Sequence, residues 1–506
     1  MAKVWWIRTK SFRILGFLLT LAVCQRAQAQ TATVTWTTTY QTMDGWGAED
    51  WFSAASGGPG TGSSGFTLTS SQAAMFFSPT SGIGLEILRT GNYYCPLTGT
   101  CAVTPNNVPD LVTLQEAVAN GARIEVNIQP PANLKYIGNF VESTPDPSTG
   151  LCIDSANWSA FATYTVQWLQ MLAANGVPVS FLSVANEPDQ PQDDTLGGCV
   201  WTAAGLDSYI GGYLGPGLSS AGLSSIKVMM AETSDWFNTD LVSTCLDDPT
   251  CSQYVSIAAG HDYGLGGVDG TNNGFCCATA TVPPSSTNGK HVWQTETGGG
   301  FTVLANGDAW DPSIADALVW AHNIHDFLTI SNVSGWEYWE LIDACGGVTT
   351  NGCSGGPFND GLTISTGGGQ TPTSLTTSQR MYVMGNWSKF VRSGWVRIGA
   401  TPNPAAGVFV TAFNQTSSGG FTIVAINNNS SDTAVTFSLS GFPTSPSSVT
   451  PWITSSTLSL AQQSNSPVSQ GSFVYTLPGY SVTSFVGDIA SISAPTPPTK
   501  LTSTVQ

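Results

Sequence analysis

Two glutamates stand where an apolar run gives way to a polar turn, the placement that acid–base or nucleophilic chemistry needs. The first lies in Ser183-Val184-Ala185-Asn186-Glu187-Pro188 and the second in Val292-Trp293-Gln294-Thr295-Glu296-Thr297-Gly298. A pair of carboxyl groups can split an acetal. One, protonated, gives its proton to the leaving oxygen, while the other attacks the anomeric carbon or activates water. An ordinary surface glutamate after a strand is the competing reading for either residue alone, and the pair together weakens it. Glu232, Glu337, Glu340, Asp343, Asp44 and Glu49 also lie near the ends of apolar runs and read at most as subsite residues.

The runs themselves predict the frame. Gly45–Gly47, Gly84–Arg89, Arg123–Gln129, Ser180–Asn186, Ile226–Ala231, Val255–His261, His291–Thr295 and Gly335–Leu341 read as strands. Several are apolar on both faces, as buried parallel strands are. Helical stretches fall between them at Leu111–Asn120, Asn157–Asn175, Ala203–Ala221 and Pro312–Leu328. Alternation of this kind predicts an α/β fold, and eight strands favour a (β/α)8 barrel over a doubly wound sheet. In that barrel Glu187 ends the fourth strand and Glu296 the seventh. Side chains at these ends converge on the mouth, where barrel active sites lie.

Beyond Gln379 the texture changes to short β-branched runs split by Gly, Asn, Ser and Pro, which predicts a β-sandwich. Thr33–Tyr40 has a strand pattern as well and could join it. The expected division is a leader at 1–29, a catalytic barrel at 41–378, a side domain from 30–40 plus 379–488, and a disordered tail at 489–506. Lys3, Arg8, Lys10 and Arg13, the apolar run Ile14–Val23 and Ala27-Gln28-Ala29 carry the pattern of a secretory signal peptide. Acylation at Cys24 is the rival reading, against which Val23 is bulky.

Loss of Cys24 would leave ten of the eleven cysteines, an even number that suits disulfides in an exported chain. Cys95–Cys101, Cys245–Cys251 and Cys345–Cys353 are the pairs close enough to close small loops. Cys276-Cys277 is not a zinc spacing, and no metal or cofactor is expected. A net charge of −18 argues against nucleic acid or anionic membrane as partner. The expected partner is a polysaccharide, bound by a monomer.

Asn186-Glu187-Pro188 with Trp293-Gln294-Thr295-Glu296 resembles the large clan of retaining (β/α)8 glycosidases, and further stretches resemble glycoside hydrolase family 30 within it. Gln41 to Gly47 is similar to that family's entry to strand one, Ile87-Leu88-Arg89 to its strand two, and Gly260 to Gly264 to its strand six. Asn386 to Ile398 resembles the opening of its side sandwich. Pro451 to Ser456 and Leu477 to Val486 resemble its xylanase branch. The resemblance implies Glu187 as acid/base and Glu296 as nucleophile. It implies Asn186 on the substrate's 2-hydroxyl, Arg89 beneath the nucleophile, and His261 and Tyr263 along the nucleophile's side. Tyr338 and Trp339 would floor the sugar site. Trp46 and Trp201 either stack sugars or belong to the core, and for His261 a core role stays open too.

Two departures bear on substrate. Glucuronoxylan-specific members carry arginine in the strand-eight loop, whereas Glu340 to Gly347 here is acidic. They carry tryptophan and asparagine where this chain has Ile128 and Gln129. The expected activity is a secreted endo-β-glycanase on β-1,4-xylan that does not depend on uronate branches. A β-1,6-galactanase or β-1,6-glucanase is the alternative, and a non-catalytic carbohydrate-binding protein the second.

Overall fold

Eight short parallel strands close into a barrel, and we label them by their place in it. They are β1 (Gly45–Glu49), β2 (Ile87–Gly91), β3 (Arg123–Asn127), β4 (Val179–Ser183), β5 (Lys227–Thr233), β6 (Val255–His261), β7 (His291–Glu296) and β8 (Gly335–Tyr338). Closure is made by β1 against β8, with Gly45 opposite Gly335 and Ala48 opposite Tyr338. The computed structural model describes residues 30–50, 66–92, 102–108, 110–131, 153–189, 200–234, 236, 240–262, 287–298, 310–344, 348–349, 352–353, 361–366 and 371–489.

Ile87, Phe181, Met229, Ile257, Ala259 and Trp293 fill the barrel as a core of their own. Phe181 and Trp293 meet edge to face with centroids 4.7 Å apart. A Cβ on Gly335 would come within 2.5 Å of the Trp293 ring, so only glycine lets β8 lie so close to that indole. At the foot of the barrel Asp44 accepts from Trp293 Nε1 at 2.8 Å and meets His291 Nδ1 at 2.5 Å. Asp44 therefore lies at the end opposite the mouth and is not a subsite residue.

Outside the strands, Trp158–Ala174 buries Trp158, Phe161, Ala162, Tyr164, Thr165, Trp168, Leu169 and Leu172, the stripe that a 3.6-residue repeat dictates. The expected helix at 203–221 runs Ala203–Ser220 but is broken by a π-turn at Ile210–Leu214. The next runs Ile314–Asp326, then passes through a second π-turn to Asn332 in the left-handed conformation. Ser70–Phe77 is a further helix, started by a Thr69/Gln72 capping box.

Gln379–Ser388, placed by sequence at the head of the all-β region, is a helix capped by Ser378. It packs on the Ile314–Asp326 helix and on strands of the side domain, so it joins the two bodies. The side domain is a ten-stranded sheet, nine strands in one hydrogen-bonded path and a tenth, Ser466–Pro467, paired off it with Ser448–Thr454. Gln30–Thr42 lies inside it, antiparallel to Val396–Ala400 and parallel to Thr433–Ser440. Phe437 and Phe485, far apart along the path, pack with centroids 4.9 Å apart, because the sheet curls back to enclose a core.

Cys245 and Cys251 are joined by a disulfide, with Cα atoms 5.3 Å apart. Cys95–Cys101 and Cys345–Cys353 involve residues outside the described ones, as do the leader and residues 490–506 of the tail. Among the described residues no helix is long and apolar enough to cross a membrane.

Candidate active site

Inward-facing residues of adjacent strands fall into register, and at one level this places Glu49, Arg89 and Glu125 side by side on β1, β2 and β3. Arg89 is wholly buried there. Its Nη1 reaches Glu49 at 2.7 Å and also contacts the Glu296 carboxylate, while its Nε lies 3.3 Å from Glu125. Its Nη2 donates to Asn186 Oδ1 at 2.7 Å and lies 3.4 Å from Glu232. A guanidinium presents a planar fork of donors and stays charged, which suits the hub of such a cluster.

Above this layer β4 ends at Ser183, and the chain turns through Asn186 to Glu187 at φ +43°. Glu232, past the middle of β5, sits at φ +52°. Left-handed backbone at a residue with a side chain costs about 1–3 kcal/mol, and such strain gathers at functional sites. The Glu187 N–H donates to the Glu232 carbonyl at 2.8 Å, which fixes the turn.

His261, the last residue of β6, lies between the two glutamates. Its Nδ1 is 3.0 Å from Glu187 Oε1, and its Nε2 is 3.7 Å from Glu296 Oε2 and 3.9 Å from Glu232 Oε1. The facing oxygens of Glu187 and Glu296 and a His261 ring nitrogen all lie within 4.8 Å of one another. The same donors form a candidate cation site, but the Arg89 guanidinium touching Glu296 already places a positive charge there.

The electrostatics follow from burial and partners. Burial raises the Glu187 carboxyl above the usual range, outweighing the opposite pull of His261. Burial works against the His261 cation too, yet the carboxylates of Glu296, Glu187 and Glu232 push the imidazole up to about 10. Glu232 is held down to about 2 although it is buried, because Arg89, His261 and Ser183 all favour its charged form. Glu49, buried beside Arg89, is raised to about 8. Burial raises both Glu125 and Glu337, and Glu337 pushes Glu125 up further while the hydrogen bond from Glu125 pulls Glu337 back down.

A polar chain supports Glu232 from the side. Gln129 Nε2 donates to Asn127 at 2.7 Å, Asn127 Nδ2 to Ser183 Oγ at 2.8 Å, and Ser183 to the Glu232 carboxylate. Trp339 caps the end of β7 beyond Glu296, since its N–H donates to Thr297 O at 2.9 Å and its ring lies against Gly298.

Thus Glu187, Glu296, Asn186, Arg89, His261 and Trp339 come together at the mouth. Three expected sugar contacts do not. Trp46 is fully buried and donates to Val391 O at 2.8 Å, which joins barrel to side domain. Trp201 packs on Tyr209 at 5.2 Å and on Trp158 at 6.1 Å, within the helical layer. Tyr338 is bonded through its hydroxyl to Arg380 at 2.9 Å and meets Trp320 edge-on, so it is core. Tyr263 lies outside the described residues. His261 is wholly buried, and its ring nitrogens face the carboxylates. Sequence reasoning passed over Glu125, though a glutamate inside the strand Arg-Ile-Glu-Val-Asn signals an inward partner.

No family model matches the sequence. A glucuronoxylanase XynC of Bacillus subtilis (strain 168) is 28% identical over 333 residues, covering 65% of this chain and 66% of that protein. A second glucuronoxylanase XynC of Bacillus subtilis is 25% identical over 381 residues, covering 74% of this chain and 76% of the other. The match therefore spans about two thirds of the first relative's length. Among solved structures, the glycoside hydrolase family 30 subfamily 8 xylanase Xyn30A from Clostridium acetobutylicum superposes with a TM-score of 0.69 at 26% identity, over 91% of this chain and 100% of that one. The endo-β1,6-glucanase BT3312 shares the fold, with a TM-score of 0.63 at 20% identity over 91% of this chain and 94% of its own. With the closed barrel, the curled side sheet and two glutamates meeting over a buried arginine, the chain is similar in sequence and in fold to the xylanases of glycoside hydrolase family 30.

Proposed function

We propose that this glycoside hydrolase is an exported, retaining endo-β-glycanase that cuts β-1,4-xylan and does not need glucuronic acid branches. One observation carries the stereochemistry. Retaining enzymes hold their carboxyl groups about 5–5.5 Å apart and inverting ones about 6.5–9.5 Å, to leave room for water. The facing oxygens of Glu187 and Glu296 lie within 4.8 Å.

In the first step a Glu296 oxygen attacks the anomeric carbon, the bond to the leaving sugar breaks, and the Glu187 proton goes to the departing oxygen. In the second, water attacks the same carbon, its proton returns to Glu187, and the ester bond breaks to restore the Glu296 carboxylate. Burial favours the protonated form of Glu187 that the first step needs, and Arg89 keeps its charge beside Glu296 throughout. Asn186, bonded to Arg89, is set to meet the 2-hydroxyl.

The arginines support independence from uronate. The chain has five beyond residue 29: Arg89, Arg123, Arg380, Arg392 and Arg397. Arg89 lies under Glu296, and Arg380 is paired with Asp316 in the core. Arg123 bonds Asp44 O at the foot of the barrel, Arg392 bonds Gly84 O, and Arg397 bonds Gln41 and Asn332. A carboxylate ligand taken from water needs such a cation, preferably bidentate. The β8 loop offers Glu340 and Asp343 instead.

Chromatography of digests of arabinoxylan, glucuronoxylan, β-1,6-galactan and β-1,6-glucan tests the substrate, with proton NMR of the first-formed anomer testing retention. Xylo-oligosaccharides released first as β-anomers are expected. Cleavage confined to a β-1,6-linked polymer would replace xylan as the substrate, and a first-formed α-anomer would reject retention.

A further inference from the structure

The two-step reaction moves a negative charge across the site. Before the covalent step the charge is on Glu296 and Glu187 holds a proton. Once the glycosyl ester forms, Glu296 is neutral and Glu187 is the carboxylate. A cation that attends only one of them is misplaced for half of the cycle. His261 is placed for both, with Nδ1 at 3.0 Å from Glu187 and Nε2 at 3.7 Å from Glu296.

A buried imidazolium nevertheless tends to shed its proton, because burial disfavours the charged form. When Glu296 becomes an ester, one of the anions that sustain His261 disappears. Glu232 is the anion that does not change. It is wholly buried, 3.9 Å from His261 Nε2 and 3.4 Å from Arg89 Nη2, and it takes the Ser183 hydroxyl proton as a hydrogen bond. Its carbonyl also anchors the Glu187 N–H, so its position and that of the acid are coupled. Among the described residues, the charged groups facing His261 are Glu187 from the end of β4, Glu232 from β5 and Glu296 from β7. Arg89 of β2 lies beyond, touching Glu232 and Glu296.

We propose that Glu232 is a positioning residue that keeps His261 an imidazolium through the whole cycle, so that one fixed cation serves Glu296 before the covalent step and Glu187 after it. This rests on the retaining reading above. The low acidity range of Glu232 and the raised one of His261 agree with the geometry. No proton is consumed by the device. His261 keeps its own while the transferred proton moves from Glu187 to the leaving sugar and back from water.

The test is nitrogen NMR of the full chain labelled at histidine, which has four such residues. In the free wild-type enzyme the His261 ring should stay doubly protonated from about pH 5 to 8, the span in which an ordinary histidine titrates. In Glu232→Gln its midpoint should fall into that span. The alkaline limb of kcat/KM should then move upward by about half a unit or more, since Glu187 loses the cation facing it. Glu232→Asp should restore both in part. A neutral His261 in the wild type, an unchanged midpoint in the variant, or a slower enzyme with an unmoved limb overturns the proposal. The wild type alone gives a second reading if the variant does not fold. Trapped as the ester by a dinitrophenyl 2-fluoro-xylobioside, it should keep His261 charged, and loss of that proton on trapping overturns the proposal. Failure to form any ester speaks against the retaining reading instead, and leaves the free-enzyme titration to decide on Glu232.

Discussion

The backbone N–H of Glu187 donates to the backbone carbonyl of Glu232 at 2.8 Å, so Glu187 is pinned to the neighbouring strand and not merely carried by its own turn. Both residues adopt left-handed backbone, at φ +43° and φ +52°. The bond ties the height of the Glu187 carboxyl over the barrel to β5, and through the Glu232 side chain to Arg89 and His261.

If Glu187 and Glu296 have the roles proposed, their variants should separate by leaving group. Glu296→Ala should lose turnover on every substrate. Glu187→Ala should lose about 10²–10⁴-fold on polymer but much less on a dinitrophenyl glycoside, whose leaving group needs no proton. Azide should rescue Glu187→Ala and give the β-glycosyl azide. Formation of that β-azide by Glu296→Ala would show the assignments to be exchanged.

Removing glucuronic acid enzymatically from xylan should leave kcat/KM within about threefold, at matched chain length and ionic strength. Relatives named as glucuronoxylanases make this the sharpest contrast. A fall of two orders of magnitude, about 3 kcal/mol of transition-state binding, would mean that a cation grips the branch after all.

Arg380 is buried with Asp316, at 3.1 Å through Nη2, and donates to the Tyr338 hydroxyl. Arg380→Met should cost about 3–5 kcal/mol in the denaturant midpoint, because it strands a buried carboxylate. Adding Asp316→Leu should recover much of the loss. A single variant as stable as the wild type would show that the pair carries little.

At the foot of the barrel the Asp44 hydrogen bond, with burial opposing it, raises His291 above its ordinary range. A raised histidine adds stability in full below its unfolded value of about 6.5, and that share is lost as pH rises through the higher folded value. Melting temperatures of wild type and His291→Gln should therefore converge above neutral pH and diverge below about 6.5. Parallel curves would show that the pair, with His291 partly in solvent, contributes nothing.

The barrel was readable because its strands are apolar runs whose ends carry the polar residues, and both glutamates stood at such ends. Edges shifted by a few residues, as at Ile87–Gly91 against the expected Gly84–Arg89, because backbone pairing rather than side-chain type sets where a strand begins. Trp46, Trp201 and Tyr338 misled for a physical reason. An aromatic ring serves a sugar or a core equally well, and only its hydrogen bond and neighbours distinguish them. Gln379–Ser388 escaped because its residues lack an apolar stripe, being buried between two bodies instead of on one. The charge network was hidden most deeply. Glu125 and Glu232 matter through strands far away in sequence, which only the register of the barrel brings beside Arg89.

The strand Gln30–Thr42 lies between Val396–Ala400 and Thr433–Ser440. Its partners are separated from it by the entire barrel in sequence, so they leave the ribosome only after some 360 further residues have been made. At roughly 5–20 residues per second, that strand waits on the order of tens of seconds with both edges unpaired. An open edge of this kind invites the wrong neighbour. The barrel can close during the wait, but the side sheet cannot. A chain stopped short of residue 396 would therefore carry that strand with neither partner, and no single cut between the two bodies would yield a complete side domain.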